Sequence, residues 1–177
     1  MNIPNSLTVM RFFLVPVFIG LFFSELDGRL IYSFTVFIIA GITDVLDGYI
    51  ARKYELITTF GTVMDPLADK LMLLTVLGCY TIAKMIPPWI IIVILIKELL
   101  MIMGGLFLYF RMDKHVVPSN KYGKIATVFF YMAIVMIVFI PVKGFVIGAL
   151  TIAVILKLVA LIKYAIGFNT IHKMHTQ

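Results

Sequence analysis

The sequence predicts an all-α integral membrane protein with six transmembrane helices in one bundle and both termini in the cytoplasm. Hydrophobic residues make up 62% of its 177 residues, and the mean hydropathy is +1.09, values that exclude an ordinary soluble domain. Apolar stretches of about 20 residues, long enough to cross a bilayer, recur from end to end. They lack the strand-like alternation of a membrane barrel, so helices are the predicted spanning elements.

The predicted spans follow one another closely and leave almost nothing outside the membrane. They cover about 7–24, 30–51, 61–83, 88–110, 122–141 and 145–166. We therefore expect residues 1–177 to form a single membrane domain without a linker, an internal repeat or a low-complexity segment.

The first span is expected to stay in the protein and not to be cleaved as a signal peptide. No Lys/Arg-rich segment precedes it, and no small-x-small cleavage pattern follows Phe23. The fourth span contains Lys97 and Glu98 near its middle. Because adjacent residues do not face each other on a helix, each is expected to face the bundle cavity or to find a partner on another helix. They would then form a structural pair or part of a substrate pocket.

The positively charged residues predict how the spans are oriented. Most of them lie in the second loop, the fourth loop and the C-terminal segment, whereas the first, third and fifth loops carry one each. The first set is Arg52, Lys53, Arg111, Lys114, Lys121, Lys124, Lys163 and Lys173, and the second is Arg29, Lys84 and Lys143. By the positive-inside rule, both termini and the second and fourth loops are cytoplasmic. The net charge of +6 suits an anionic leaflet and requires no nucleic-acid partner.

Four carboxylates lie near the cytoplasmic ends of the second and third spans. Asp44 and Asp47 come one to two turns before the second span ends, and Asp65 and Asp69 come one to two turns after the third begins. Spacings of i, i+3 and i, i+4 place each pair on one helix face. A carboxylate in hydrocarbon costs about 2.5–3.5 kcal/mol on insertion scales, and four together repel one another unless a cation lies between them. Hard oxygen ligands without Cys or His favour Mg²⁺, Mn²⁺ or Ca²⁺, so the sequence predicts a divalent-metal site.

Residues next to the acids suggest a ligand site and a helix start. Gly48, Ala51 and Gly61 leave the backbone approachable by another helix or by a flat ligand. Arg52 is either an ordinary positive-inside residue or a partner for a phosphate group. Pro66 disfavours helical geometry at the residue before it, so the third helix is expected to begin there or to be locally distorted.

The spaced residues from Asp44 to Asp69 resemble the signature of the CDP-alcohol phosphatidyltransferases. That signature, Asp-x2-Asp-Gly-x2-Ala-Arg-x8-Gly-x3-Asp-x3-Asp, is matched at every fixed position, and the six-span layout extends the likeness over most of the chain. The resemblance implies an enzyme of the cell membrane in which an alcohol displaces CMP from a CDP-linked lipid. It further implies Mg²⁺ or Mn²⁺ as cofactor, with two ions, and a homodimer with its active site facing the cytoplasm.

The resemblance also implies roles for individual residues. The metal ligands would be Asp44, Asp47, Asp65 and Asp69, and Asp69 would in addition act as the general base. The CDP-lipid site would be formed by Asn5, Thr8, Gly48, Ala51, Arg52 and Gly61.

Two further segments bear on the acceptor alcohol. Residues 2–11 resemble the opening of family members that use glycerol 3-phosphate or phosphatidylglycerol, although Arg11 fits equally an interfacial residue whose side chain reaches the membrane surface. In the fourth loop, Arg111, Lys121 and Lys124 favour an anionic acceptor phosphate, unless they are ordinary positive-inside residues. Glycerol 3-phosphate is the simplest such acceptor. The predicted reaction is thus phosphatidyl transfer from CDP-diacylglycerol to glycerol 3-phosphate, which releases CMP and forms phosphatidylglycerophosphate.

Two alternatives to this function remain. Family members that use glycerol 3-phosphate have a Gly-Lys-x-Lys-Thr run in the fourth loop, but Ala126 stands at the second Lys. Phosphatidylglycerol, the acceptor in cardiolipin synthesis, is therefore still open. A divalent-cation transporter would carry its acids at the membrane midplane and show broken helices in repeated halves. Here the acids lie near one face and the halves do not resemble each other.

Overall fold

The part of the chain that the computed structural model describes contains six α-helices, close to the positions expected from the sequence. They are α1 (Ile3–Phe22), α2 (Arg29–Lys53), α3 (Thr59–Ile82), α4 (Pro88–Arg111), α5 (Lys121–Phe139) and α6 (Lys143–His175). The structure describes the backbone of residues 2–111, 121–140 and 142–175, and their side chains except at 59, 104–111, 121, 122, 124 and 164–175. Within these ranges there is no β-strand, so the all-α prediction is confirmed.

α1 begins at Ile3, one turn earlier than predicted. Asn2 precedes it in an extended conformation, and Pro4 lies in its first turn, where a missing N–H removes no helical hydrogen bond. The hydropathy of the sequence does not reveal this turn, because it contains the polar residues Asn5 and Ser6.

α3 begins at Thr59, with Thr58 as its N-cap. The Thr58 hydroxyl accepts a hydrogen bond from the Gly61 N–H at 3.0 Å, a typical way to fix the start of a helix. The helix continues through Pro66, so a helix start at that proline is wrong. With the start fixed upstream, Pro66 removes one backbone hydrogen bond and Asp65 remains helical.

The described helices indicate a membrane protein. Three are long and apolar enough to cross a bilayer, namely Ile3–Phe22, Arg29–Lys53 and Lys143–Lys163, and a shorter apolar helix covers Ile125–Phe139. Large apolar side chains such as Phe13, Val45 and Ile152 are exposed, as expected of surfaces that face lipid. α3 is less apolar because it carries Asp65, Asp69 and Lys70.

The chain forms two compact units, Met1–Lys84 and Met85–Gln177. In the first unit, α1 packs against both α2 and α3, and α2 also contacts α3. Its core includes Phe18, Ala40 and Val76. This packing brings the start of α1 beside the end of α2 and the start of α3, where the predicted site residues lie.

In the second unit, α6 packs against α5 and contacts α4. Lys97 Nζ donates to Glu98 Oε1 at 2.8 Å, and both side chains are buried. The expectation that these neighbours do not pair is wrong, because the long lysine stem reaches along the helix surface and a buried charge without a partner is costly. Lys157 is also buried, with its Nζ 4.8 Å from the centre of the Phe130 ring, a cation–π contact.

Candidate active site

Three of the four predicted acids meet at one place in the first unit, around the guanidinium group of Arg11. Arg11 Nη1 donates to Asp44 Oδ1 and Nη2 donates to Asp47 Oδ2. Nη2 also lies 3.8 Å from Asp65 Oδ1. Because one guanidinium reaches both Asp44 and Asp47, the prediction that they share a helix face is confirmed.

Asp69 lies one turn after Asp65 and belongs to the same cluster. The negative charges of Asp65 and Asp69 both act on Asp44, and those of Asp44 and Asp65 act on Asp47. The structure therefore brings together all four acids that the sequence singled out. We refer to Asp44, Asp47, Asp65 and Asp69 as the acid cluster.

Arg11 is an interior residue and not an interfacial one. Its side chain is 1% exposed, which rules out the interpretation that it reaches the membrane surface. Its Nε is buried without a hydrogen-bond partner among the described residues. A charged residue inside an apolar span is expected to have a partner, but the sequence does not indicate that this partner is the acid cluster.

The acid cluster fits a hard divalent cation in its donor atoms and in its charge. All four side chains offer carboxylate oxygens, the ligands that Mg²⁺ and Mn²⁺ prefer, and one guanidinium cannot neutralise four negative charges. Among the residues that the structure describes, however, no three acidic, histidine or cysteine side chains are arranged to hold one ion together. The group that lies between Asp44 and Asp47 is Arg11, so metal ligation by the cluster stays a prediction.

A pocket of about 190 Å³ opens next to the acid cluster and shares Asp65 with it. Five of the six residues predicted for the CDP-lipid site line this pocket, namely Asn5, Gly48, Ala51, Arg52 and Gly61. The sixth, Thr8, is buried and donates a hydrogen bond to the Asp65 carboxylate instead. Sites that enclose drug-sized ligands measure about 300–1,000 Å³, so this pocket would hold only part of a nucleotide-sized ligand.

The two glycines of the pocket differ in what they allow. A Cβ atom at Gly61 would lie 3.2 Å from Asn5 Oδ1 and 3.2 Å from Thr58 Oγ1, which is tighter than ordinary contact. A larger residue at Gly61 would force the Asn5 side chain, which approaches from α1, or the Thr58 side chain to shift. A Cβ atom at Gly48 would lie 3.4 Å from the Arg52 guanidinium, the movable end of a flexible side chain, so this glycine leaves space in the pocket.

Thr58 is a pocket residue that the signature does not contain. Its hydroxyl donates to Asn5 Oδ1 at 2.8 Å and accepts from the Gly61 N–H at 3.0 Å, so it ties α1 to the start of α3. We expect Thr58→Ala to lower the free energy of unfolding by about 1 kcal/mol, as for other lost N-caps. Thermal unfolding in detergent measures this, with Thr58→Ser as the control that keeps the hydroxyl. Equal melting temperatures for the Ala variant and the wild type would contradict the assigned role.

The predicted acceptor-phosphate residues belong to the second unit. Arg111 ends α4, Lys121 begins α5 and Lys124 follows one turn later, but their side chains lie outside the described residues. Ala126 stands where the Gly-Lys-x-Lys-Thr run has its second Lys, and this residue is 1% exposed. Its methyl group belongs to the core of this unit.

Comparison with known proteins places these features in one family. The chain matches the family model described as CDP-alcohol phosphatidyltransferase over residues 1–164, which include every residue of the acid cluster and the pocket. Three similar proteins bear the name CDP-diacylglycerol–glycerol-3-phosphate 3-phosphatidyltransferase. The Bacillus subtilis protein is 38% identical over 138 residues, covering 71% of this chain and 70% of that protein. The Rickettsia typhi protein is 37% identical over 147 residues (81% and 79%). The Mycoplasma pneumoniae protein is 34% identical over 158 residues (78% and 68%).

Proposed function

Because the chain belongs to the CDP-alcohol phosphatidyltransferase family, a family of enzymes, we propose that it transfers a phosphatidyl group from CDP-diacylglycerol to glycerol 3-phosphate. The reaction releases CMP and forms phosphatidylglycerophosphate. The observation that carries this proposal is that the acid cluster adjoins, at Asp65, a pocket lined by five of the six residues predicted for the CDP-lipid site.

The pocket would receive the nucleotide and diphosphate part of CDP-diacylglycerol. Gly48 and Gly61 expose backbone to the pocket, which allows a flat or densely charged group to approach closely. Arg52 lines the same pocket and is exposed, so its guanidinium group is available to pair with a phosphate. Since the pocket lies at the end of α2 and the start of α3, the diacyl tails would extend along the apolar helices into lipid.

The acid cluster would hold the metal ions on which this family generally depends. We propose that Asp44, Asp47, Asp65 and Asp69 bind two Mg²⁺ or Mn²⁺ ions. Such ions, when bound, neutralise a diphosphate and stabilise the negative charge that develops on the departing group.

Asp69 would act as the general base of the transfer. The acceptor hydroxyl has a pKa far above 7, so a carboxylate within hydrogen-bond distance assists by taking its proton during attack. The hydroxyl oxygen forms a bond to the phosphatidyl phosphorus, and the bond from that phosphorus to the oxygen of CMP breaks. CMP leaves with the electron pair of the broken bond, and Asp69 holds the proton.

The names of the similar proteins support glycerol 3-phosphate as the acceptor. The charge of Arg111, Lys121 and Lys124 agrees with an anionic alcohol. The second candidate acceptor is phosphatidylglycerol, which stays open because Ala126 stands where the Gly-Lys-x-Lys-Thr run has its second Lys.

The proposed setting is the cell membrane. All six helices would span it within one domain that covers 1–177, with both termini and the acid cluster at the cytoplasmic side. The even number of helices and the excess of Lys and Arg in the second and fourth loops support this topology. The family resemblance supports a homodimer.

Parallel acceptor assays test this function. Purified protein with CDP-diacylglycerol and Mg²⁺ or Mn²⁺ is offered glycerol 3-phosphate, phosphatidylglycerol, inositol or serine, and released CMP is measured. We expect CMP release with glycerol 3-phosphate. CMP release only when phosphatidylglycerol is the acceptor would make the protein a cardiolipin-forming enzyme. Absence of CMP release with every alcohol would overturn the proposed reaction.

Gly48→Ala is expected to weaken CDP-diacylglycerol binding without unfolding the protein. The added methyl group occupies pocket space next to Arg52, and one carbon in a binding pocket changes binding by about tenfold or more. The KM for CDP-diacylglycerol should rise by that factor. Gly41→Ala is the matched control, because a Cβ at Gly41 on the same helix meets nothing within 4 Å. Equal KM values for the two variants would contradict the assignment of the pocket.

A further inference from the structure

We propose that Arg11 is a built-in counter-ion of the acid cluster. It holds Asp44 and Asp47 together in the metal-free protein, and a divalent cation must displace it from them in order to bind. This proposal rests on the proposed metal-dependent transfer, and it assigns Arg11 a positioning role that the signature does not include.

The first observation is the geometry of the ion pairs that Arg11 makes. Two nitrogens of one guanidinium bind two different carboxylates, Asp44 and Asp47, and charge-assisted hydrogen bonds of this kind are among the strongest in proteins. The Arg11 side chain is 1% exposed and that of Asp47 is 2% exposed, so water screens their attraction little. A charge buried in this way is retained only with its partners.

The second observation is the conflict between Arg11 and a metal ion for the same space. Asp47 is enclosed and faces Nη2 of Arg11, so a cation that ligates Asp47 would lie within a few ångströms of the guanidinium. Two positive groups at that distance repel strongly, more so where little water is present. Metal and Arg11 therefore compete for Asp47, and at Asp44 they compete for Oδ1, the oxygen that Nη1 of Arg11 contacts.

The third observation is the incomplete satisfaction of Arg11 itself. Its Nε is buried and has no hydrogen-bond partner in the described part of the chain, although buried polar groups are nearly always paired. The Asp65 carboxylate, at 3.8 Å from Nη2, is within ionic reach but beyond hydrogen-bond distance, and Thr8 binds it. Arg11 is thus bound through its two outer nitrogens only, and a divalent cation can displace it from these contacts.

The consequence is a site that stays assembled without metal. The guanidinium keeps the α2 carboxylates side by side, although their charges repel. This preorganisation is obtained at the expense of metal affinity, because an ion that ligates the enclosed Asp47 must first break its contact with Arg11.

The test compares Mn²⁺ binding to purified wild type, Arg11→Gln and Arg29→Gln. The dissociation constant is measured from the free-Mn²⁺ EPR signal, and the melting temperature in detergent is recorded in the presence of EDTA. Arg29 is the matched control because it is exposed at the opposite end of α2. Arg11→Gln should melt lower in EDTA and bind Mn²⁺ at least about tenfold more tightly, which corresponds to one charge-assisted hydrogen bond that no longer has to be broken. Arg29→Gln should match the wild type.

Unchanged or weaker Mn²⁺ binding in Arg11→Gln would overturn the counter-ion role, since a purely structural arginine predicts that result. If Arg11→Gln does not yield folded protein, Arg11→Lys decides. A single ammonium group lacks the fork that binds Asp44 and Asp47 together, so fewer contacts have to be broken and the Mn²⁺ affinity should again exceed that of the wild type. Equal or lower affinity of Arg11→Lys would refute the proposal. Wild-type Mn²⁺ binding that is lost in Asp44→Asn, together with CMP release, would leave the proposed function standing even then.

Discussion

Asp69→Asn is expected to lower turnover by about 10²–10⁴-fold, the range that a positioned general base contributes, while Mn²⁺-dependent binding of CDP-diacylglycerol is largely kept. The amide cannot take the proton of the acceptor hydroxyl. The other three acids remain to hold the metal ions and, through them, the diphosphate of the substrate. Asp69 itself is near enough to Asp44 for their charges to interact. The expected result is therefore a loss of kcat with little change in substrate binding.

CMP release and equilibrium binding of CDP-diacylglycerol are measured on the same preparations. Asp27→Asn is the matched control, because Asp27 is an exposed acid between α1 and α2. Turnover near the wild-type rate in Asp69→Asn would assign the base to another residue. Loss of both turnover and binding would make Asp69 a metal ligand only.

Asp47→Ala is expected to lower the free energy of unfolding of the metal-free protein by about 3–5 kcal/mol, the usual effect of removing one partner of a buried ion pair. Asp47 is 2% exposed and binds the buried Arg11, so its loss leaves part of a guanidinium charge uncompensated. Domains are stabilised by only about 5–15 kcal/mol, so the variant should be markedly less stable. Unfolding in mixed micelles with EDTA measures the difference.

Two matched variants separate this ion pair from a general effect of losing an acid. Asp44→Ala should destabilise less, because the Asp44 side chain is 40% exposed and solvent screens its attraction to Arg11. The double variant Arg11→Met/Asp47→Leu should recover most of the stability, since no buried charge is left unpaired. Equal losses in Asp47→Ala and Asp44→Ala, or no recovery in the double variant, would contradict the role of the buried pair.

The helices and the position of the site were predictable from the sequence because both follow from local patterns. Apolar run-length places the described helices within a few residues, apart from two polar stretches: the first turn of α1 at Ile3, and the end of α6, which continues from the predicted 166 to His175. The spacing of Asp44 and Asp47 places both on one face whatever the surrounding fold. The signature also collects Gly48, Arg52 and Gly61, which the structure brings to one pocket.

The partners of charged residues were not predictable, because they depend on packing between distant segments and on side-chain reach. Arg11 lies 33 residues from Asp44 in the chain, and no local pattern connects them. Lys97 and Glu98 diverge on the helix, yet the lysine stem spans the gap. Thr58 resembles any N-cap in sequence, and only the position of α1 shows that it also binds Asn5.

The most direct test of the proposed reaction follows the acceptor into lipid. Purified wild-type protein is incubated with radiolabelled glycerol 3-phosphate, CDP-diacylglycerol and Mg²⁺ or Mn²⁺, and the label in the lipid extract is compared with the CMP released. We predict one CMP for each labelled lipid, and no labelled lipid when CDP-diacylglycerol is omitted or EDTA is added. Absence of label from the lipid in the complete mixture, or labelling that does not require CDP-diacylglycerol, would contradict the proposed transfer.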